Sequence, residues 1–205
     1  GPGGYRNGSG SSYRSGASHG GFADRMVPCY GSITEPIEPG SAGKNGNNVS
    51  RNGQGGGAVY LVVGGTTELQ EDSKIAADGR DAGMGNGSGG SIYLRSGNVV
   101  GAGKLSAEGG IAGYDDGGGG RIAVILTNAA ASFDDFSGSF SVRSSDSAAG
   151  TLYLEDASQT SGQGTLIIDN DNGSGNYTPL RPEASDTTTF GSIIIRDLAS
   201  GGTKA

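Results

Sequence analysis

The sequence predicts an all-β fold, a right-handed parallel β-helix (β-solenoid) of about four to five coils with an irregular N-terminal cap. Three observations carry this expectation. A glycine-led apolar strand returns four times, as GGGAVYLVV at 55–63, SGGSIYLRS at 88–96, GGGRIAVIL at 118–126 and AAGTLYLED at 148–156. Val59, Ile92, Ile122 and Leu152 hold equivalent places in it, 33, 30 and 30 residues apart. Self-similarity at such a period marks one supersecondary unit stacked on copies of itself. Along each copy the apolar residues alternate, as in Val59/Leu61/Val63 and Ile122/Val124/Leu126, which sends one side of a strand to a core. The right hand follows from the general preference of parallel crossovers.

Each first strand is followed by a second element: SKIAADG at 73–79, GKLSAEGG at 103–110, GSFSVRS at 138–144 and GTLIIDN at 164–170. Ile75, Leu105, Phe140 and Leu166 share a position in it, so every coil is expected to carry two strands or three. A further strand, GSIIIRD at 191–197, reads as the start of another coil. The stretches 77–90 and 107–120 are expected to be glycine turns, because glycine adopts positive φ without a steric penalty. Four coils at the inter-strand spacing give a rod about 20 Å long. No single coil can bury its apolar face alone.

Glycine supplies 43 of the 205 residues, but not at every third position, which excludes collagen. A bundle of polyproline-II chains also uses long glycine runs; the Ile/Val/Leu strands favour the solenoid over it. The net charge of −7 argues against nucleic acid, whose phosphates need a basic surface. No apolar run of about 18 residues exists, so no membrane insertion is expected. The division expected is 1–15 as tag scar and Gly/Ser-rich leader, 16–54 as cap and linker, 55–197 as β-helix and 198–205 as tail. Gly1-Pro2 is what a common tag-removing protease leaves, so a piece excised from a longer protein is expected. Residues 16–43 carry the only histidine, the only cysteine and three of six prolines, and read as a cap folded over the first coil's open end.

The order SGASHGG, YGSITEP, GGGAVYL, IAADG, GSGGSIYLRSG, GKLSAEGG and GGGGRIAV resembles a glycine-rich β-helix module of large secreted or cell-surface (adhesin-like) repeat proteins. The later AAGTLYLED, GTLIIDND and TFGSIIIRD are similar to its repeat, so the likeness spans about residues 16–197. It implies extracellular or cell-surface placement and an adhesive or scaffolding role, and brings no catalytic residues with it.

Candidate chemistry is sparse. Tyr60, Tyr93 and Tyr153 recur at one point of successive coils, with Ala123 in the third, and are expected to point outward. Such a column can stack on the apolar faces of surface glycans; the competing reading is packing between coils. Asp169 and Asp171, within DNDNGSG, place oxygen donors close together, as Ca²⁺ prefers, although the stretch departs from an EF-hand loop. An ion-free Asx turn is the alternative there, and no other cofactor is expected. Asp115–Asp116 and Asp134–Asp135 fall in turns; adjacent strand residues face opposite ways, so neither pair alone makes a glycosidase's carboxylates. His19 is expected to hydrogen-bond within the cap, Cys29 to be a buried thiol, and Arg95, Arg121 and Arg143 to pair with nearby acids. Sequons at Asn7, Asn48, Asn86, Asn172 and Asn176 arise readily by chance in a Gly/Ser-rich chain. The functional expectation is a non-catalytic stalk segment that displays turns for interaction. The alternatives are a polysaccharide-binding or polysaccharide-degrading β-helix and a filament module joined end to end, with glycans or neighbouring repeat modules as partners.

Overall fold

The computed structural model describes residues 2–4, 14–23, 27–46, 52–111, 114–171, 173, 175, 177–180 and 189–196. In chain order the strands are β1 (Arg14–Ser15), β2 (Lys44–Asn45), β3 (Ala58–Leu69), β4 (Lys74–Ala76), β5 (Ser91–Gly101), β6 (Lys104–Ser106), β7 (Arg121–Leu126), β8 (Ser139–Ser141), β9 (Thr151–Glu155), β10 (Thr165–Asp169) and β11 (Ser192–Arg196). No α-helix occurs among the described residues, and none is long and apolar enough to cross a membrane. The chain is a parallel β-solenoid of about four turns.

Its first wall is the six-stranded sheet β11-β10-β9-β7-β5-β3. Within it Val59 pairs with Ile92, Ile92 with Ile122, and Ile122 with Leu152, all in parallel ladders. The column inferred from the repeat is therefore present. The second wall is the parallel sheet β4-β6-β8, where Ile75, Leu105 and Phe140 stack in register. Ile92, Leu94, Ile122, Val124 and Leu152 meet Leu105 and its neighbours between the walls and form the main core. The other face of the first wall is covered too: Tyr93, Ala123, Ile125, Tyr153 and Leu166 pack with Ile33, Leu180 and Phe190. Burial on both faces is why the five residues after Arg121 in β7, IAVIL, are all apolar rather than alternating.

The fourth copy departs from the expectation. Leu166 does not join Ile75, Leu105 and Phe140; β10 turns back and pairs antiparallel with β9, so it extends the first wall. Residues 156–163 form the tight reversal that permits it: Asp156 accepts from the N–H and hydroxyl of Ser158, and Gly162 takes φ 79°. β11 pairs parallel to β10 at the sheet edge instead of opening a further coil.

The glycine stretches are a third wall, not simple turns. Four consecutive N–H groups donate in three directions: Gly117 to Gly110 O, Gly118 to Ala17 O, Gly119 to Ala148 O, and Gly120 back to the first segment at Ala107 O. One coil earlier Gly87 and Gly90 donate to Arg80 and Ala77, while Ser88 turns to Ser41 and Gly89 to Gly118. A strand would alternate between two neighbours. A period of three without internal bonds is that of a polyproline-II helix, so the chain combines both architectures that its glycine runs allow. Each coil returns through a hairpin of two such arms, 77–80 with 87–90 and 107–110 with 117–120. Side chains are shut out at the centre. A Cβ on Gly117, Gly118, Gly119 or Gly120 would strike the carbonyl oxygen of Gly87, Gly21, Val142 or Gly90 respectively.

The N-terminal segment packs on the solenoid along its flank. Ala17 bonds Asn86 and Gly118, Gly20 bonds Gly119, and Phe22 accepts from Ala148, so 16–22 spans three coils. Residues 40–43 lie against 53–56 and Ser88. The first coil's edge, with Tyr60, Leu61 and Val62, stays exposed.

Candidate functional site

A cleft lies where the second wall stops. Because β10 lies flat in the first wall, nothing among the described residues follows β8 in the second. The two walls part there around a cleft of about 630 Å³. Leu152, Leu154 and Ile167 form its first-wall side, and Phe140 and Val142 the opposite side. Lys104, Arg143, Arg196, Asp169 and Asp171 bring charge to its rim.

The rim belongs to a charge ladder that climbs the second wall. Lys74 binds Asp78 and Lys104 binds Glu108, each at 2.6 Å and four residues apart. Asp78 also accepts from the Ser106 hydroxyl and the Glu108 N–H one coil on, at 2.5 and 2.9 Å. Glu108 in turn accepts from the Ser141 hydroxyl at 2.6 Å and lies 3.5 Å from Arg143. Burial pushes both carboxyls upward, but the hydrogen bonds from Lys74 and Ser106, and from Lys104 and Ser141, outweigh it and hold both below the carboxylate range. The ladder ends at Arg143, 3.7 Å from Asp171.

Asp169 and Asp171 thus stand beside the cleft. They are joined by an Asx bond, Asp171 N–H to Asp169 Oδ1 at 2.9 Å, with Asp171 at φ 46°. Between them Asn170 turns inward; its Oδ1 accepts from Ser144 N–H and its Nδ2 donates to Ser147 O. Asn172 and Ser174 of the same stretch lie outside the described residues. Among the described residues no group of three or more His, Cys, Asp or Glu side chains gathers as metal ligands would.

The tyrosine column is in register, Tyr60 with Tyr93, then Ala123, then Tyr153. Its exposure is uneven: 54% for Tyr60, 8% for Tyr93 and none for Tyr153. Tyr60 stacks on Tyr93 with ring centroids 4.9 Å apart. Tyr153 donates to Glu155 and accepts from Gly164 N–H, which ties the β9–β10 reversal together. Burial and the adjacent Glu155 raise its phenol. The outward face expected of all three is presented by Tyr60 alone, because the N-terminal segment and Phe190 cover the rest.

A buried polar cluster, which no local motif announces, holds the flank segment in place. His19 Nδ1–H donates to Gly89 O at 2.9 Å, and the ring lies 4.5 Å from that of Tyr30. Its Nε2 is buried without a hydrogen-bond partner among the described residues. Burial, with help from the Arg121 charge, lowers the His19 pKa to about 3 and leaves a neutral ring. Arg121 is fully buried and donates to Tyr30 O and to Thr151 Oγ1, both at 3.0 Å. Arg143 pairs with Glu108 and Asp171, as expected of it. Cys29 is buried beside them, its thiol pushed up to about 12 by desolvation and so unreactive as a nucleophile. Asp116 accepts from Asn86 Nδ2 and from Asp146 N–H, and Asp135 from Asn98 Nδ2, so these acids bridge successive coils rather than their own turns. The Asn86 sequon is fully buried; the other four asparagines lie outside the described residues.

Comparison of the chain with family profiles, with curated proteins and with solved structures gives no match.

Proposed function

We propose that the protein is a non-catalytic extracellular structural and adhesive module, a rigid segment that displays turns and a cleft for interaction. The observation that supports this most is the bracing of the parallel ladder. Two strand walls are tied by a third wall of threefold glycine chains, bonded in three directions instead of two. Such a body resists bending about every axis, as a stalk must. Surface glycans or neighbouring modules are the partners this reading favours, with Tyr60 as the ring available for sugar stacking. In the test, neutral and acidic polysaccharides are incubated with the protein. The expected outcome is no release of reducing ends or unsaturated product.

A second reading, polysaccharide degradation on the same fold, draws on one observation: Asp169 and Asp171 share the cleft rim with Lys104, Arg143 and Arg196. Product release that disappears in Asp169→Asn would replace the first reading with this one.

A further inference from the structure

Among the described residues the second wall stops one rung short of the first. In the second wall Ser139 N–H donates to Gly103 O, and Ser141 O accepts from Ala107 N–H, so both residues turn their backbone toward β6. Parallel pairing alternates, which leaves the N–H and C=O of Phe140 directed to the other side. One coil back, the corresponding groups of Leu105 serve the β6–β8 ladder. Beyond β8 there is no strand among the described residues, only the cleft with Leu152, Leu154 and Ile167 across it.

We propose that this vacant fourth rung is a docking site for an extended peptide segment of a partner protein, added as a parallel strand along β8. The inter-strand interface β4–β6 is repeated at β6–β8, and the cleft continues it by one step. The filled rungs, Lys-Ile-Ala, Lys-Leu-Ser and Ser-Phe-Ser, define what fits: an apolar residue between small or basic polar ones. The apolar side chain enters the cleft below Phe140. Three residues further on, the ladder runs Asp78, Glu108, Arg143, so the next residue meets a guanidinium. An acidic side chain there is complementary to Arg196 on the opposite rim and would share Arg143 with Glu108 and Asp171. Strand addition takes affinity from the backbone and specificity from such alternate pockets.

A second copy stacked coil on coil does not fit. Its β4 could follow β8 only if its β3 followed β9, and that place is taken by β10. The occupant is therefore a single strand. The proposal deepens the display reading and rests on it, but its failure is separate: polysaccharide breakdown overturns the scaffold, whereas a silent cleft overturns only the docking.

The experiment titrates the whole chain with the labelled peptide GKLSAEG, the 103–109 template, while anisotropy and amide spectra are recorded. The expected result is saturable binding with slowed exchange of the Phe140 amide. Replacing the peptide's leucine by aspartate should weaken binding by at least about tenfold, and Arg196→Ser on the protein should weaken it several-fold. No saturation at millimolar peptide, or binding that leaves the Phe140 amide unchanged, overturns the proposal. So does an oligosaccharide that saturates the cleft while the peptide does not.

Discussion

His19 is a residue whose chemistry is set by its enclosure. The unfolded chain protonates it near 6.5, while the folded chain holds it neutral until about pH 3. The unfolded state therefore binds more protons between those values. The contribution is complete above pH 6.5 and is withdrawn as pH falls toward 3. Unfolding free energies from urea titrations between pH 7 and pH 4 should fall with a slope approaching about 1.4 kcal/mol per pH unit. His19→Asn keeps a donor for Gly89 and should lose that part of the slope, whatever its own stability. Glycine is decided equally locally. Gly119→Ala drives a methyl into the Val142 carbonyl and should cost about 2–4 kcal/mol in denaturant unfolding. Gly57→Ala, with nothing within 4 Å, should change stability by less than about 0.5 kcal/mol.

At the scale of elements, the even spacing of the repeat conceals two compensating irregularities. From the second coil to the third, Lys104 pairs with Ser139, an offset of 35, although Ile92 pairs with Ile122 at 30. The loop 127–138, capped by a 3-10 turn at Phe133–Asp135, absorbs the extra residues, and a shorter hairpin tip before Ser147 removes them again. Loops tolerate such changes because closure entropy grows slowly with length. The glycine arms do not, since one added residue rotates everything beyond it by a third of a turn. An alanine inserted between Ala129 and Ala130 should cost at most about 1 kcal/mol. The same insertion between Gly118 and Gly119 should abolish the cooperative urea transition followed by circular dichroism.

At the scale of the molecule, a simple solenoid is a chain of nearest-neighbour interfaces and can unravel from its ends. Here residues 16–22 cross three coils, and Ile33 and Tyr30 reach the first wall and Arg121. That strap couples coils that would otherwise open singly. Removal of residues 1–43 should broaden the urea transition and lower its slope, and should uncover Tyr93, Ala123 and Ile125. A deletion variant that unfolds as sharply as the whole chain would show the strap to be dispensable.

The strand walls were legible because their determinants are local and repeated. Alternating aliphatics give the faces, and the recurrence of Val59, Ile92, Ile122 and Leu152 gives the stacking. Leu166 misled because its segment has the same alternation as SKIAADG and GKLSAEGG. Pattern tells that a strand forms; only the reversal at 156–163, fixed by Asp156 and Gly162, decides which wall receives it. The tyrosines were placed in the correct column, but their exposure depends on Ile33 and Phe190, far away in sequence. The cleft has the same origin, being the space left when β10 chose the first wall.

What the amino-acid order determined by itself is the unit: a short apolar strand, its period, and glycine runs too crowded for any side chain. What the tertiary structure alone decided is how copies and flanking segments share surfaces, including the threefold bonding of the arms, the burial of His19 and Arg121, and the placing of β10 in the first wall. The physical reason is range. Side-chain alternation and backbone freedom act over a few residues, whereas a partner for a carbonyl or a cover for a tyrosine comes from wherever the packed chain places one.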